Sequence, residues 1–274
     1  MKKIVLSIAV SIFMIGGFIS CNNQINKETK EITVDVNAGG TITKIKETNT
    51  LRVGTSGEQF PFTFENENGE LDGLDIKIAN AMAERMGVKV EFVQMKFDEL
   101  IPALNDGKID IIFSGMTNTL KRNMDIAYSQ PYFKTGKAVL SKDKVIGNAD
   151  AEAINKEAVK IVVFAKSTSE EFVKKNYPNA TIIPVANYEE IDDLLLNDKA
   201  NAFVGDMEIC ESISYTHLTT NLYLSKLDSD VEYIAAAVSA DDALFFNLVE
   251  NYIRMVNDHN IGIVVENLWL EYLN

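Results

Sequence analysis

The stretch SGMTNTLKR, residues 114 to 122, follows the apolar run KIDIIF and brings Thr117, Thr119 and Arg122 together where a buried strand should end. Hydroxyls and a guanidinium at such a place point to anion binding. Thr119 is suited to cap a helix beginning at Leu120, which would aim unpaired backbone N–H groups and the positive dipole end at a ligand. Arg122 would then sit in the first helical turn, unfavourable for a cation unless an anion offsets it. A carboxylate gripped by the planar guanidinium fork would do so. An exposed Arg122 on a solvated helix, with Thr117 in a turn, explains the same residues without a ligand.

Asp206 ends a second apolar stretch, ANAFVGD, and can accept from an ammonium or cap the helix that MEICESI begins. Arginine at one pole and aspartate at the other fit an α-amino acid. KSTSEEF, residues 166 to 172, adds hydroxyls at another helix start, with Ser167 or Thr168 as cap and Glu170 or Glu171 as capping-box partner. VGTSGEQFPF places Ser56, Glu58 and Gln59 in a loop, followed by Phe60 and Phe62. Phe97, just before a helix, can add an aromatic wall, and core packing is the alternative for these rings.

The elements that must position these groups alternate between strand and helix. GLDIKIANAMAERMG puts Leu74, Ile78 and Met82 on one helical face, stopped by Gly87. VKVEFV reads as a strand, FDELIPALNDG as a helix stopped by Gly107, and IDIIF as a buried parallel strand, so a βαβαβ unit emerges. Residues 159 to 206 repeat the plan: VKIVVF, STSEEFVKKN, ATIIPV, NYEEIDDLLLND and ANAFVGD. Phe97 to Gly115 and Tyr188 to Asp206 match in length and pattern, aligning Ser114-Gly115 with Gly205-Asp206. Ligands of open α/β sheets bind beyond the carboxyl ends of the strands, so two facing lobes would line one cleft with these ends.

YFKTGKAVLSKD and VEYIAAAVSADD are extended segments able to carry the chain between lobes, and LFFNLVENYIRMVNDH and VVENLWLEYL would complete the first. The fold expected is α/β, a two-lobed hinged clamshell in which each lobe is an open, mostly parallel sheet flanked by helices. Lobe 1 is assigned residues 47–138 plus 236–274 and lobe 2 residues 139–235.

Ahead of the lobes, residues 1–20 read as an export signal, with two lysines and an apolar run from Ile4 to Ile19, short of the ~20 residues a membrane-spanning helix needs. Residues 21–46 read as a tether. Loss of residues 1–20 removes Lys2 and Lys3 and moves the formal charge from −14 to −16, which repels nucleic acid. With two histidines, His217 and His259, far apart and no metal-ligand spacing, neither a metal site nor a Ser-His-Asp centre is expected. No phosphate-cradling loop or other cofactor motif is present in the sequence. Cys210 reads as a small buried apolar side chain.

LRVGT, LDGLDIKIANAMAERMGVKVEFV, FDELIPALNDGKIDIIFSGMTNTLKR, AYSQPYF and the terminal ENLWLEYL together resemble the bacterial extracellular solute-binding proteins of family 3, the amino-acid-binding components of ABC importers with the periplasmic-binding-protein fold. The resemblance covers roughly residues 45 to 274. It implies that Thr117 and Arg122 bind an α-carboxylate, assisted by Ser167 and Thr168. Asp206, with groups at Ser114, would meet the ammonium, Gly115 belongs to the same ligand-binding set, and Ser56, Gln59 and Phe97 would lie near the ligand side chain. Ser56 stands where many relatives carry Asp, Gln59 where an aromatic is common, and Lys166 where Gly is frequent.

The start of the chain resembles a bacterial lipoprotein signal, which implies that Cys21 becomes a lipid-modified N-terminus, a membrane anchor of the palmitate kind. The function expected is capture of a polar amino acid by a monomeric extracytoplasmic lipoprotein, in the periplasm or at the cell surface, for delivery to an ABC permease. No catalysis is required. The alternatives are an enzyme like the cyclohexadienyl dehydratases, with Glu58 as a general acid, and an amino-acid-sensing lipoprotein.

Overall fold

The computed structural model describes residues 40–258. The export segment, Cys21, most of the tether, His259 and ENLWLEYL lie outside them. Helix α1 (Thr41–Thr48) feeds β1 (Thr50–Thr55), and its Ile45 is buried in the same core as Leu51 and Val53. Helical residues therefore lie inside the span assigned to the tether. Ile45, the partly buried Ile42 against the same core, and a bond from the Thr41 N–H to Asp242 Oδ2 at 2.6 Å fasten them.

Strands β2 (Glu58–Gln59), β3 (Thr63–Glu65) and β4 (Leu71–Asp72) form a small antiparallel sheet that the hydrophobic pattern does not announce. Next come α2 (Leu74–Met86), β5 (Lys89–Gln94), a 3₁₀ turn at Phe97–Glu99, α3 (Leu100–Asn105) and β6 (Ile111–Ile112). Leu74, Ile78 and Met82 are buried as their spacing requires, and Gly87, at φ 69°, ends α2 in the left-handed region that favours glycine.

After β7 (Ile126–Thr135) and β8 (Lys137–Ser141), the short helices α4 (Lys144–Gly147) and α5 (Ala151–Ile154) lead into β9 (Lys160–Phe164). There follow α6 (Thr168–Asn176), β10 (Thr181–Val185), α7 (Tyr188–Leu196), β11 (Ala202–Asp206) and α8 (Met207–Thr216). β12 (Tyr223–Lys226), β13 (Glu232–Ser239) and α9 (Ala243–Asp258) complete the described chain.

Two five-stranded sheets result, ordered β5-β1-β6-β13-β7 and β10-β9-β11-β8-β12. In the first, β1 runs parallel to β5 and β6; in the second, β9 runs parallel to β10 and β11. The remaining two strands of each sheet are antiparallel. The β6 and β11 strands, matched by internal repetition, hold equivalent places next to the antiparallel pair, and both are wholly buried, as strands covered on both faces must be.

The chain leaves the first sheet at Thr135 and enters the second at Lys137, with Gly136 between; it returns through Glu232, which pairs with Thr135. Sheet membership thus changes at Lys137 and Glu232, a few residues before the assigned boundaries. Pairing Asp206↔Lys137 in the second sheet sets the first limit, a register that no local pattern announces. On one face of the first sheet, α9 buries Phe245, Val249, Tyr252 and Ile253.

Candidate functional site

β1, β6, β9 and β11 all point their carboxyl ends toward one region, and the sequence-predicted groups gather there in three sets. Ser114, fully buried after β6, accepts from the Ser56 N–H at 2.9 Å and donates to Ser56 Oγ at 3.0 Å. These two bonds fix the loop after β1. Gly115 has φ +56°, and a Cβ there would lie 2.5 Å from Gln59 Oε1, so glycine permits the close approach of Gln59.

Ser56, Gln59 and Phe97 line a cavity of about 200 Å³, which Glu58, Gln94 and, from the second sheet, Phe164 help to enclose. Of the other candidate rings, Phe62 belongs to the core, edge-on to Phe133 at 5.2 Å between centroids.

Arg122 holds the second set together. Its Nη1 donates to the Thr117 carbonyl at 3.0 Å and its Nη2 to the Lys166 carbonyl at 3.3 Å, while Cζ lies 5.4 Å from the centre of the Phe97 ring. The guanidinium therefore joins the parts that carry the two sheets and stacks on an aromatic face. A second cavity of about 400 Å³ opens beside it, lined by Thr119, Lys121, Lys166, Thr168 and Glu170 among others.

The α-helix expected from Leu120 does not form. Thr119 Oγ1 does accept from the Arg122 N–H at 3.2 Å, but only a 3₁₀ turn, Arg122–Met124, follows before β7 starts at Ile126. Leu120 and Met124 are 88% and 84% exposed, so no apolar face repays a longer helix. This corner therefore presents a guanidinium and no α-helix dipole.

The third set is built around two residues that the sequence reading passed over as connecting chain. Lys137 Nζ donates to Thr168 Oγ1 at 2.8 Å, to Asp206 Oδ1 at 2.5 Å and to Glu232 Oε2 at 3.0 Å. Glu232 Oε2 also accepts from Thr117 Oγ1 at 2.9 Å and Thr168 Oγ1 at 2.8 Å. Thr117, Thr168 and Asp206 are thus brought together, with Lys137 and Glu232 between them. Asp206 makes no side-chain cap to α8; its carboxylate faces the cluster instead.

Burial alone would lower the Lys137 ammonium, but the charges of Asp206 and Glu232 outweigh it and hold the group above its ordinary value. Burial pushes Asp206 up, Lys137 opposes this and the neighbouring Glu232 reinforces it. One signal was available: Lys137 opens KAVLS, a strand buried along its whole length, where a lysine demands partners.

Ser167 caps α6, accepting from the Glu170 N–H at 3.2 Å and donating to the Phe164 carbonyl at 2.7 Å. Glu170 Oε2 reaches back to the Lys166 N–H at 2.6 Å, a variant of the capping box. Ser167 therefore shapes the loop, and Thr168 is the member that turns into the cluster. Lys166 Nζ meets Asp98 Oδ2 at 2.5 Å, a further link between the parts carrying the two sheets.

Elsewhere, His217 Nε2 lies 2.9 Å from Asp192 Oδ2 as a partly exposed pair, and Cys210 is buried as expected, its thiol pushed up by desolvation. Among the described residues no group of three His, Cys, Asp or Glu side chains could hold a metal ion.

A model of the bacterial extracellular solute-binding proteins, family 3, matches residues 51–214. A glutamine-binding protein of Geobacillus stearothermophilus is 29% identical over 202 residues, 72% of this chain and 76% of that protein. A cyclohexadienyl dehydratase of Pseudomonas aeruginosa is 25% identical over 230 residues, 84% of this chain and 85% of that protein. The crystal structure of an ancestral amino acid-binding protein, described as a precursor of cyclohexadienyl dehydratase, superposes with a TM-score of 0.75 at 33% identity, covering 86% of this chain and all of that one.

Proposed function

Because the chain belongs to the bacterial extracellular solute-binding proteins, family 3, we propose that it captures a polar amino acid between its two sheets and delivers it to an ABC permease. The observation that supports this reading is Arg122, whose guanidinium spans from Thr117 to Lys166 beside Phe97 and would receive a carboxylate. Ser56, Gln59 and Phe97, in the wall of the adjoining cavity, would meet the rest of the solute. Closure of the two parts around the solute is what a permease would read, and it needs no covalent chemistry.

The export signal and Cys21 support a lipid-anchored, extracytoplasmic form. Calorimetry with the twenty amino acids tests the central claim. Arg122→Ala should weaken the binding found in the wild type by on the order of 2 to 5 kcal/mol, since it leaves a desolvated carboxylate unpaired. Undiminished affinity would remove Arg122 from the site.

A dehydratase is the second reading. Glu58 supports it by lying in the wall of the cavity with Phe97 and Phe164, and so does the likeness to cyclohexadienyl dehydratase over most of the chain. Incubation with prephenate or arogenate decides it: aromatic product that disappears in Glu58→Gln supports the enzyme, and no turnover ends that reading.

A further inference from the structure

Lys137 and Glu232 occupy an unusual place, since each stands at one of the two crossings between the sheets. The three protons of the Lys137 ammonium have three acceptors, Thr168 Oγ1, Asp206 Oδ1 and Glu232 Oε2. The Glu232 carboxylate collects the hydroxyls of Thr117, from the part carrying the first sheet, and Thr168, from the part carrying the second. An ammonium lies on Asp206 and a carboxylate lies between Thr117 and Thr168. These are the two charges that an α-amino acid would bring to the same three residues.

The electrostatics are closed as well. Arg122 and Lys137 balance Asp206 and Glu232, and the Lys137 side chain is 1% exposed while those of Asp206 and Glu232 are 11% and 16% exposed. An incoming zwitterion finds no unpaired charge at Asp206 and no free hydroxyl at Thr117. To settle there it must displace a buried ion pair whose replacement partners are no better than the ones lost.

We propose that Lys137 and Glu232 are specificity-determining residues, a tethered counterpart of the amino-acid zwitterion that lowers the affinity of this cleft for free α-amino acids. They select solutes whose remaining contacts, in the cavity of Ser56, Gln59, Phe97 and Phe164, are strong enough to displace the pair. This deepens the proposed function and rests on its placement of the amino acid at Thr117, Arg122 and Asp206.

The test is calorimetry on the purified full chain with L-arginine, L-glutamine and L-histidine as probes, comparing wild type with the Lys137→Gln/Glu232→Gln double variant. Both amides remove a charge; Glu232→Gln keeps the size of its side chain, and Lys137→Gln gives one slightly shorter than lysine. The expected result is that the double variant binds at least one probe ten or more times as tightly, and that adding Arg122→Ala abolishes the gain.

A double variant that unfolds cooperatively yet binds every probe no more tightly than wild type overturns the proposal. Where wild type itself binds a probe, the amino-acid reading survives that outcome. Binding of no probe by either protein overturns the proposal and leaves the amino-acid reading to the calorimetry with all twenty. Should the double variant not fold, Glu232→Gln alone decides, with a gain of threefold or more supporting the proposal and no gain overturning it.

Discussion

The backbone N–H of Gly115 donates to Asp75 Oδ2 at 2.6 Å, tying the first turn of α2 to the end of β6. One buried carboxyl group thereby anchors the start of SGMTNTLKR. Burial pushes the Asp75 carboxyl up to about 7, against the lowering effects of the Gly115 N–H and the Tyr132 hydroxyl.

The sign of the resulting pH dependence follows directly. Between the ordinary value of 3.8 and about 7 the native state holds a proton on Asp75 that the unfolded chain has released. Stability from this group is therefore full at acid pH and falls as pH rises through that window. Glu208, also raised to about 7 by burial, acts in the same direction. Asp75→Asn should flatten the fall between pH 5 and pH 8 by on the order of 2 to 4 kcal/mol, read from urea midpoints. An unchanged slope would mean that Asp75 is ionised throughout.

Gly115→Ala should destabilise the fold by about 1 to 3 kcal/mol, because a Cβ forces φ +56° on an ordinary residue and meets Gln59 Oε1 and the Phe62 ring. The displaced Gln59 also reshapes the cavity it lines, so solute affinity should fall beyond what the loss of stability explains. Urea unfolding and calorimetry on the same preparation separate the two effects.

Loss of the cap in Ser167→Ala should cost about 1 kcal/mol, since the Glu170 N–H loses its acceptor. Ser167→Asp should recover most of it. A Tm lowered in the first variant and restored in the second checks this, and equal losses in both would assign the effect to the bond from Ser167 Oγ to the Phe164 carbonyl.

Arg122→Lys should fail to restore solute binding lost in Arg122→Ala. An ammonium is a point charge and cannot keep both the Thr117 and Lys166 carbonyls while presenting a planar face to Phe97. Wild-type affinity in Arg122→Lys would show that charge alone suffices at this corner.

Much of this protein was legible in its residues taken locally. The apolar spacing of Leu74, Ile78 and Met82, the glycine stops and the repeat of Phe97–Gly115 in Tyr188–Asp206 specify two similar α/β halves, and the family model bears out the resemblance read from LDGLDIKIA and SGMTNTLKR. Such features depend on side-chain period and backbone conformation, which neighbouring residues set. What surrounds Asp206 was decided by tertiary structure alone. Lys137 meets it across an antiparallel register 69 residues apart, and Glu232 joins from 95 residues beyond Lys137. A charge's partners are set by three-dimensional proximity in a water-poor interior, so two residues that read as connecting chain became the centre of a buried ion-pair cluster.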